Sequence, residues 1–184
     1  LGRGLDRVAA RKPDIIHTVN YPEFNNPFYA HQARLLCFSY KRWTGNQLIP
    51  EAETTDNLIK ALFDAPFILV AHGAESVSIF NFGSRAALEL FEIEWNEFIR
   101  LPSRKSADED NREDRERLMS RVKTNGYATD CKGVRITSTG RRFFITGATV
   151  WNVVDELGDY HGQAAMFTDW SYLVPGVGAK APIT

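Results

Sequence analysis

The chain of 184 residues is poor in cysteine: Cys37 and Cys131 lie far apart and form neither a CxxC pair nor a framework of spaced thiols. A disulfide-stapled scaffold and a thiolate zinc site are therefore excluded as organising principles. Long apolar runs are missing too. The longest, Phe67-Ile-Leu-Val-Ala71, has the length of a buried strand, well short of the roughly 20 residues a membrane-spanning helix needs. Neither sign of charge is in excess, since 22 lysines and arginines face 23 aspartates and glutamates for a formal net charge of -1. That balance removes the bulk electrostatic argument for direct nucleic-acid binding. No Gly-x-Ser-x-Gly elbow and no glycine-rich phosphate loop occur, so serine-hydrolase and nucleotide-phosphate chemistry have no support. The expected setting is a reducing one, the cytoplasm. A basic start, with Arg3, Arg7, Arg11 and Lys12 against Asp6 and with Leu1 where Met would stand, points to a plastid instead if it is the remnant of a transit peptide.

What is present is core material. Hydrophobic residues make up 43% of the chain, including 12 phenylalanines and four tryptophans, enough for one substantial core but hardly for two domains. Residues 1–27 read as a flexible or loop-like segment, closed by the proline- and asparagine-rich stretch from Thr18 to Pro27. Residues 28–65 read as a helical extension of two amphipathic helices, the first running from Phe28 to Trp43 with a glycine stop at Gly45. Thr55 or Asp56 is the expected cap of the second. A core follows over 66–173. It starts with strands Phe67–His72 and Val77–Phe82 joined by a tight turn, then short helices from Arg85 to Phe91 and Glu94 to Ile99. A charged surface helix spans Asp108 to Asn125 with Leu118, Met119 and Val122 as its apolar stripe. Three strands then form a meander over Tyr127–Ser138, Arg142–Asp155 and Tyr160–Trp170, and 174–184 reads as a flexible tail. Phe143 beside Phe144 and Val150 beside Trp151 require both faces of the sheet to be covered.

This order resembles the PAS fold. Asn81-Phe-Gly-Ser-Arg-Ala-Ala-Leu-Glu-Leu-Phe91 is similar to its "N-x-A-A-x-x-L-F" passage from second strand to first helix. Asp155-Glu-Leu-Gly158 with Asp169-Trp-Ser171 is similar to its "D-x-x-G" turn and closing "D-I-T". A closer resemblance, over roughly Phe28 to Leu173, is to the MEKHLA family of PAS-like domains. It is carried by Leu101-Pro-Ser-Arg-Lys-Ser-Ala107, Asn111-Arg-Glu-Asp-Arg115, Gly133-Val-Arg-Ile-Thr-Ser-Thr-Gly-Arg-Arg-Phe143, Ala148-Thr-Val-Trp-Asn152 and Gly162-Gln-Ala-Ala-Met-Phe167. The resemblance implies an α+β fold: a five-stranded antiparallel sheet with helices on one face, the two leading helices covering the other. It also implies a sensory or regulatory module, without an established catalytic site, that responds to light, oxygen or redox state, and in some plant regulators controls dimerisation. No homeodomain or leucine zipper is visible in this chain.

Alternation aligned on Asp155 and Asp169 points Phe144, Thr146, Ala148 and Val150 inward from the fourth strand, and Gln163, Ala165 and Phe167 inward from the fifth. The candidate ligand pocket is Asn81, Phe98, Thr146, Val150, Gln163 and Phe167, with no catalytic or metal-binding residue assigned. The flavin photosensors of the PAS class carry a reactive cysteine where Leu101–Ser106 stands, and amides where Thr146 and Phe167 stand; the sequence argues against covalent flavin. Haem needs an axial imidazole, usually on the long helix, and 108–125 holds none. His161, near a hairpin end, reads as a partly exposed polar residue, and Cys131 as a structural thiol. The expected partners are a small-molecule ligand of unassigned identity, a second copy of the chain or a signalling protein, with no membrane. Two rivals stand beside this reading: a structural dimerisation module whose core is filled by its own aromatics, and an NTF2-like enzyme, which would need a buried Asp/His dyad in a hollow.

Overall fold

The computed structural model describes residues 21–50, 57–107 and 112–174. The basic N-terminal stretch and the tail from residue 175 lie outside the described residues. Among those described, no helix is long and apolar enough to cross a membrane.

Helix α1, Pro27–Thr44, starts where local chemistry says it should. The Asn26 side chain accepts the Phe28 N–H at 2.9 Å, and Pro27 takes the first helical position, where its missing N–H breaks no bond. Gly45 ends the helix in the left-handed conformation, φ 74°. Helix α2, Leu58–Phe63, is capped by Asn57, whose Oδ1 accepts the Lys60 N–H at 3.0 Å. That is a correction to Thr55 or Asp56, which themselves lie outside the described residues. Strands β1 (Ile68–His72) and β2 (Phe80–Gly83) follow, then α3 (Arg85–Phe91), α4 (Trp95–Phe98), a 3-10 turn at Ser103–Ser106 and α5 (Arg112–Asn125). The last third holds β3 (Tyr127–Ile136), β4 (Arg142–Val154), β5 (Tyr160–Phe167) and β6 (Asp169–Tyr172).

The strand order is β2-β1-β5-β4-β3, every neighbour antiparallel, with β6 also on β4. The described residues hold six strands where five were expected, for a simple reason. Thr149 opposite Met166 and Thr146 opposite Asp169 share one register, so β5 and β6 are a single long strand interrupted at Thr168. The first hairpin is less tight than its sequence suggested. Ser78 and Ile79 are diverted to the 3-10 segment, Ile79 bridging Pro102 and Ser78 O accepting the Ser103 N–H at 2.8 Å, and β2 begins only at Phe80.

Both faces of the sheet are covered. On the outer face, Leu36 and Tyr40 of α1 and Leu62 and Phe63 of α2 pack with Leu69, Ala71, Trp151, Val153 and Ala164. Leu35 and Leu36 are buried there, while Phe38 on the same helix is exposed, at 36%. On the inner face, Leu90 and Phe91 of α3 and Val122 of α5 pack with Phe143, Ile145, Ala148 and Phe167.

Two offset bulges decide which residues reach that inner face. The β3–β4 register shifts between Ala128 and Cys131 and shifts back between Cys131 and Gly133. Asp130 on one strand (φ 55°) and Gly147 on the other (φ 67°) take left-handed backbone, and each inserts a residue that breaks the period-two alternation. Beyond Gly147 the inward set is therefore Phe143 and Ile145, buried in the inner cluster, rather than Phe144 and Thr146.

Candidate functional site

Between the inner face and the helices lies a cavity of about 330 Å³. The sheet supplies its floor in cross-strand rows. His72 of β1 is opposite Gln163 of β5, which is opposite Asn152 of β4; one row along come Val70, Ala165 and Val150. Beyond these, Phe167 lies opposite Ile68, and Ala148 opposite Cys131. The floor is thus polar along one row and apolar over the rest, with alanines leaving room above it. The roof comes from Phe91 of α3, Leu118 and Met119 of α5, and Ser103, Ser106 and Ala107 of the 3-10 segment, while Phe80 and Ser78 close the β2 side.

The structure distributes the six expected pocket residues unequally. Val150, Gln163 and Phe167 line the cavity. Asn81 does not: it is the extra residue where the β1–β2 register shifts, and its Oδ1 accepts from Gln32 Nε2 of α1 at 3.1 Å. Phe98 stands one layer back, fully buried and stacked on Phe80 with ring centroids 4.6 Å apart, so that Phe80 and not Phe98 meets the cavity. Thr146 is excluded by the Gly147 bulge, and Ile145 takes its place. Sequence reasoning missed Ile145, Phe80, Phe91, Met119, His72 and Cys131 as cavity residues. Gly147, directly after Thr146, was the one local hint of a bulge.

The polar row is organised by an amide relay. Asn152 Nδ2 donates to the Val122 carbonyl at 3.3 Å, and Gln163 Nε2 donates to Asn152 Oδ1 at 3.2 Å. Cys131 is a cavity-wall thiol whose burial pushes its pKa up, and its Sγ donates to Ala128 O at 3.4 Å. Such a thiol is held neutral rather than poised as a thiolate. Burial likewise raises the Tyr160 hydroxyl. The segment Leu101–Ser106 at the cavity's edge carries no thiol, so its side chains do not fit a covalent flavin adduct.

Outside the cavity, two polar clusters hold the frame. Asp155 Oδ1 accepts the Leu157 and Asp159 N–H groups at 3.0 and 2.9 Å, and its Oδ2 pairs with His161 Nε2 at 2.9 Å. The histidine bond, helped by the backbone donors, holds the Asp155 carboxyl below the usual carboxylate range and fixes the β4–β5 turn. Glu92, the left-handed cap of α3, accepts from Thr139, from Arg141 at 2.7 Å and from Thr137 at 3.0 Å, tying that helix to the β3–β4 hairpin. Among the described residues, no group of three His, Cys, Asp or Glu side chains is placed to hold a metal.

Comparison with known proteins fits this geometry. The family model described as the MEKHLA domain matches residues 30–172. Homeobox-leucine zipper protein HOX32 of Oryza sativa subsp. japonica is 26% identical over 159 residues, covering 86% of this chain and 18% of that protein. Homeobox-leucine zipper protein ATHB-15 of Arabidopsis thaliana is 22% identical over 142 residues, covering 77% and 17%. The chain thus spans less than a fifth of the length of these curated relatives. Among solved structures, an RNA-binding light-oxygen-voltage receptor superposes with a TM-score of 0.55 at 17% identity, over 67% of this chain and 35% of that one. A PAS domain from Colwellia psychrerythraea gives 0.52 at 15% identity, over 60% and 91%. These likenesses show an α+β fold of PAS type.

Proposed function

The chain belongs to the MEKHLA domain family, and on that footing we propose that it is a sensory or regulatory module whose cavity takes a small ligand. The observation that carries this reading is the cavity itself. At about 330 Å³ it falls at the small end of ligand pockets, with an apolar floor along Val70, Ala165 and Val150 and polar groups converging from His72, Gln163, Ser103 and Ser106, under helices that a ligand would touch directly. A ligand there bears on Leu118 and Met119 of α5 and on Phe91 of α3, so occupancy is coupled to the helical layer rather than confined to the sheet. The response to light, oxygen or redox state that the family resemblance implies would run through this contact, without a thiol adduct in the Leu101–Ser106 segment. Protein partners, a second copy included, would read the resulting change.

A non-catalytic role is part of the same reading. Among the described residues lining the cavity there is no carboxylate, and the Asp155–His161 pair lies at the β4–β5 turn rather than against the hollow, so no acid-base dyad faces it.

The test is native mass spectrometry with an absorption spectrum on protein purified from its own source, before and after denaturation. The expected result is a small mass, or a chromophore band, that accompanies the folded chain and leaves on unfolding. A bare polypeptide mass in both states contradicts a resident ligand and favours the interaction module with a filled core.

A further inference from the structure

The orientation of one amide makes the cavity chemically selective. Amide oxygen and nitrogen are assigned from their partners, and here the chain of partners begins at an unambiguous group. The Val122 carbonyl can only accept, so Asn152 must present its NH2 to it. Asn152 Oδ1 then faces Gln163, which must answer with its own NH2. This leaves Gln163 Oε1 as a fixed acceptor. It has no hydrogen-bond partner among the described residues, and it is accessible rather than sealed, since no buried side-chain polar atom among them lacks a partner. Gln163 lies on the cavity wall, at the end of a floor whose next residues are Val70, Ala165 and Val150.

The remaining chemistry limits the occupant further. The ionisable side chains among the described lining residues are His72, Cys131, Lys132, Arg135 and Tyr160, with no carboxylate, which disfavours a cation. An apolar cavity of about 150 Å³ accepts benzene, so this one, about twice as large, has room for fused rings.

Resting on the reading that the cavity binds a ligand, we propose that it recognises a compact molecule without positive charge, apolar where it lies on the Val70, Ala165 and Val150 floor, that donates one hydrogen bond, from an N–H or O–H, to Gln163 Oε1. Specificity of this kind follows from the penalty of leaving an acceptor dry. A ligand with the same shape and no donor covers Gln163 Oε1 without satisfying it.

The probes are indole and benzothiophene, equal in outline and differing in the N–H. They are titrated into the full chain, with affinity read from the solution NMR spectrum and the Gln163 side-chain amide as the local reporter. Indole is expected to bind about tenfold tighter, the worth of one hydrogen bond of ordinary strength, and to shift the Gln163 resonances. Gln163→Met should bring the two affinities within about twofold of each other by weakening indole. Ala165→Leu, which fills the floor, should weaken both. Equal affinities in the wild type, with both probes lost in Ala165→Leu, overturn the donor rule and leave the ligand cavity standing. Failure of both probes to bind at millimolar concentration overturns the cavity reading and the proposal together. Indole binding that ignores Ala165→Leu and leaves Gln163 unshifted places the probe elsewhere and also overturns the proposal. If Gln163→Met does not fold, the wild-type affinity ratio and the Gln163 shift decide.

Discussion

Gly162→Ala is expected to lower the unfolding free energy by on the order of 4 kcal/mol, a large part of the roughly 5–15 kcal/mol that stabilises a domain of this kind. Gly162 has φ 138°, a backbone conformation that side chains rarely adopt. A Cβ there would overlap the carbonyl oxygen of His72 and come within 3.0 Å of Gly73 Cα. Neither obstacle is a flexible side chain that can swing away; one is backbone at the end of β1 and the other backbone directly after it, so relief requires that end of β1 to separate from β5. Gly140→Ala is the internal control. Gly140 also has positive φ, at 87°, but nothing lies within 4 Å of its added Cβ, so only the conformational cost of about 1 kcal/mol applies. Urea denaturation followed by tryptophan fluorescence separates the two. Similar losses for both variants would show that the close approach at His72 does not hold.

Trp151→Ala should cost about 3–5 kcal/mol, the range for deleting a large buried aromatic. Trp151 is fully buried on the outer face, edge-on to Tyr40 of α1 with ring centroids 5.0 Å apart. Its indole Nε1 donates to Ser39 Oγ at 3.1 Å, and Ser39 donates in turn to Leu35 O at 2.6 Å. The tryptophan therefore joins α1 to the centre of the sheet by packing and by a bond that reaches the helix backbone. The loss should be local in character: hydrogen exchange in α1 should accelerate by more than in β1 or β5, because the leading helix has lost its largest anchor while the inner face keeps its own cluster. Uniform acceleration across the sheet would mean that α1 is inseparable from the core. Trp151→Phe, which keeps a ring but loses the donor, should cost less than the alanine variant.

Much of this architecture was legible in the sequence because it rests on local chemistry. The apolar pattern from Phe28 to Trp43 makes a helix, Gly45 stops it, Asp155-Glu-Leu-Gly158 folds a turn around a carboxylate, and the runs Phe143-Phe144 and Val150-Trp151 demand cover on both sides of a sheet. The order of elements then led to the PAS arrangement, and segments such as Gly133–Phe143 and Ala148–Asn152 to the family resemblance. What was not legible is long-range. The position of Thr146 was inferred from strict alternation along β4 aligned on Asp155 and Asp169, and alternation fails at Gly147, where β4 answers a bulge at Asp130 on a strand nearly twenty residues earlier. Asn81 was placed by its match to a strand-to-helix motif, but a register shift opposite His72 turns it to Gln32 of α1. Phe98 has the right composition for a pocket, yet Phe80 stands in front of it. Nor could the amide relay be read from sequence, since it joins Val122, Asn152 and Gln163 from three separate elements. The site's polarity is a property of packing, while its apolar content is a property of composition.

A cavity that takes a ligand requires the space under α3 and α5 to be open rather than filled by the chain's own aromatics. The most direct measurement is a crystal structure determined under xenon pressure, since xenon collects in empty apolar space such as that over the Val70, Ala165 and Val150 floor. Xenon density is expected against Val70, Val150, Ala165 and Phe167, on the floor of the cavity. No xenon at that place, with Phe80, Phe91 or Met119 occupying it instead, would contradict an open cavity and leave a filled interaction module in its stead.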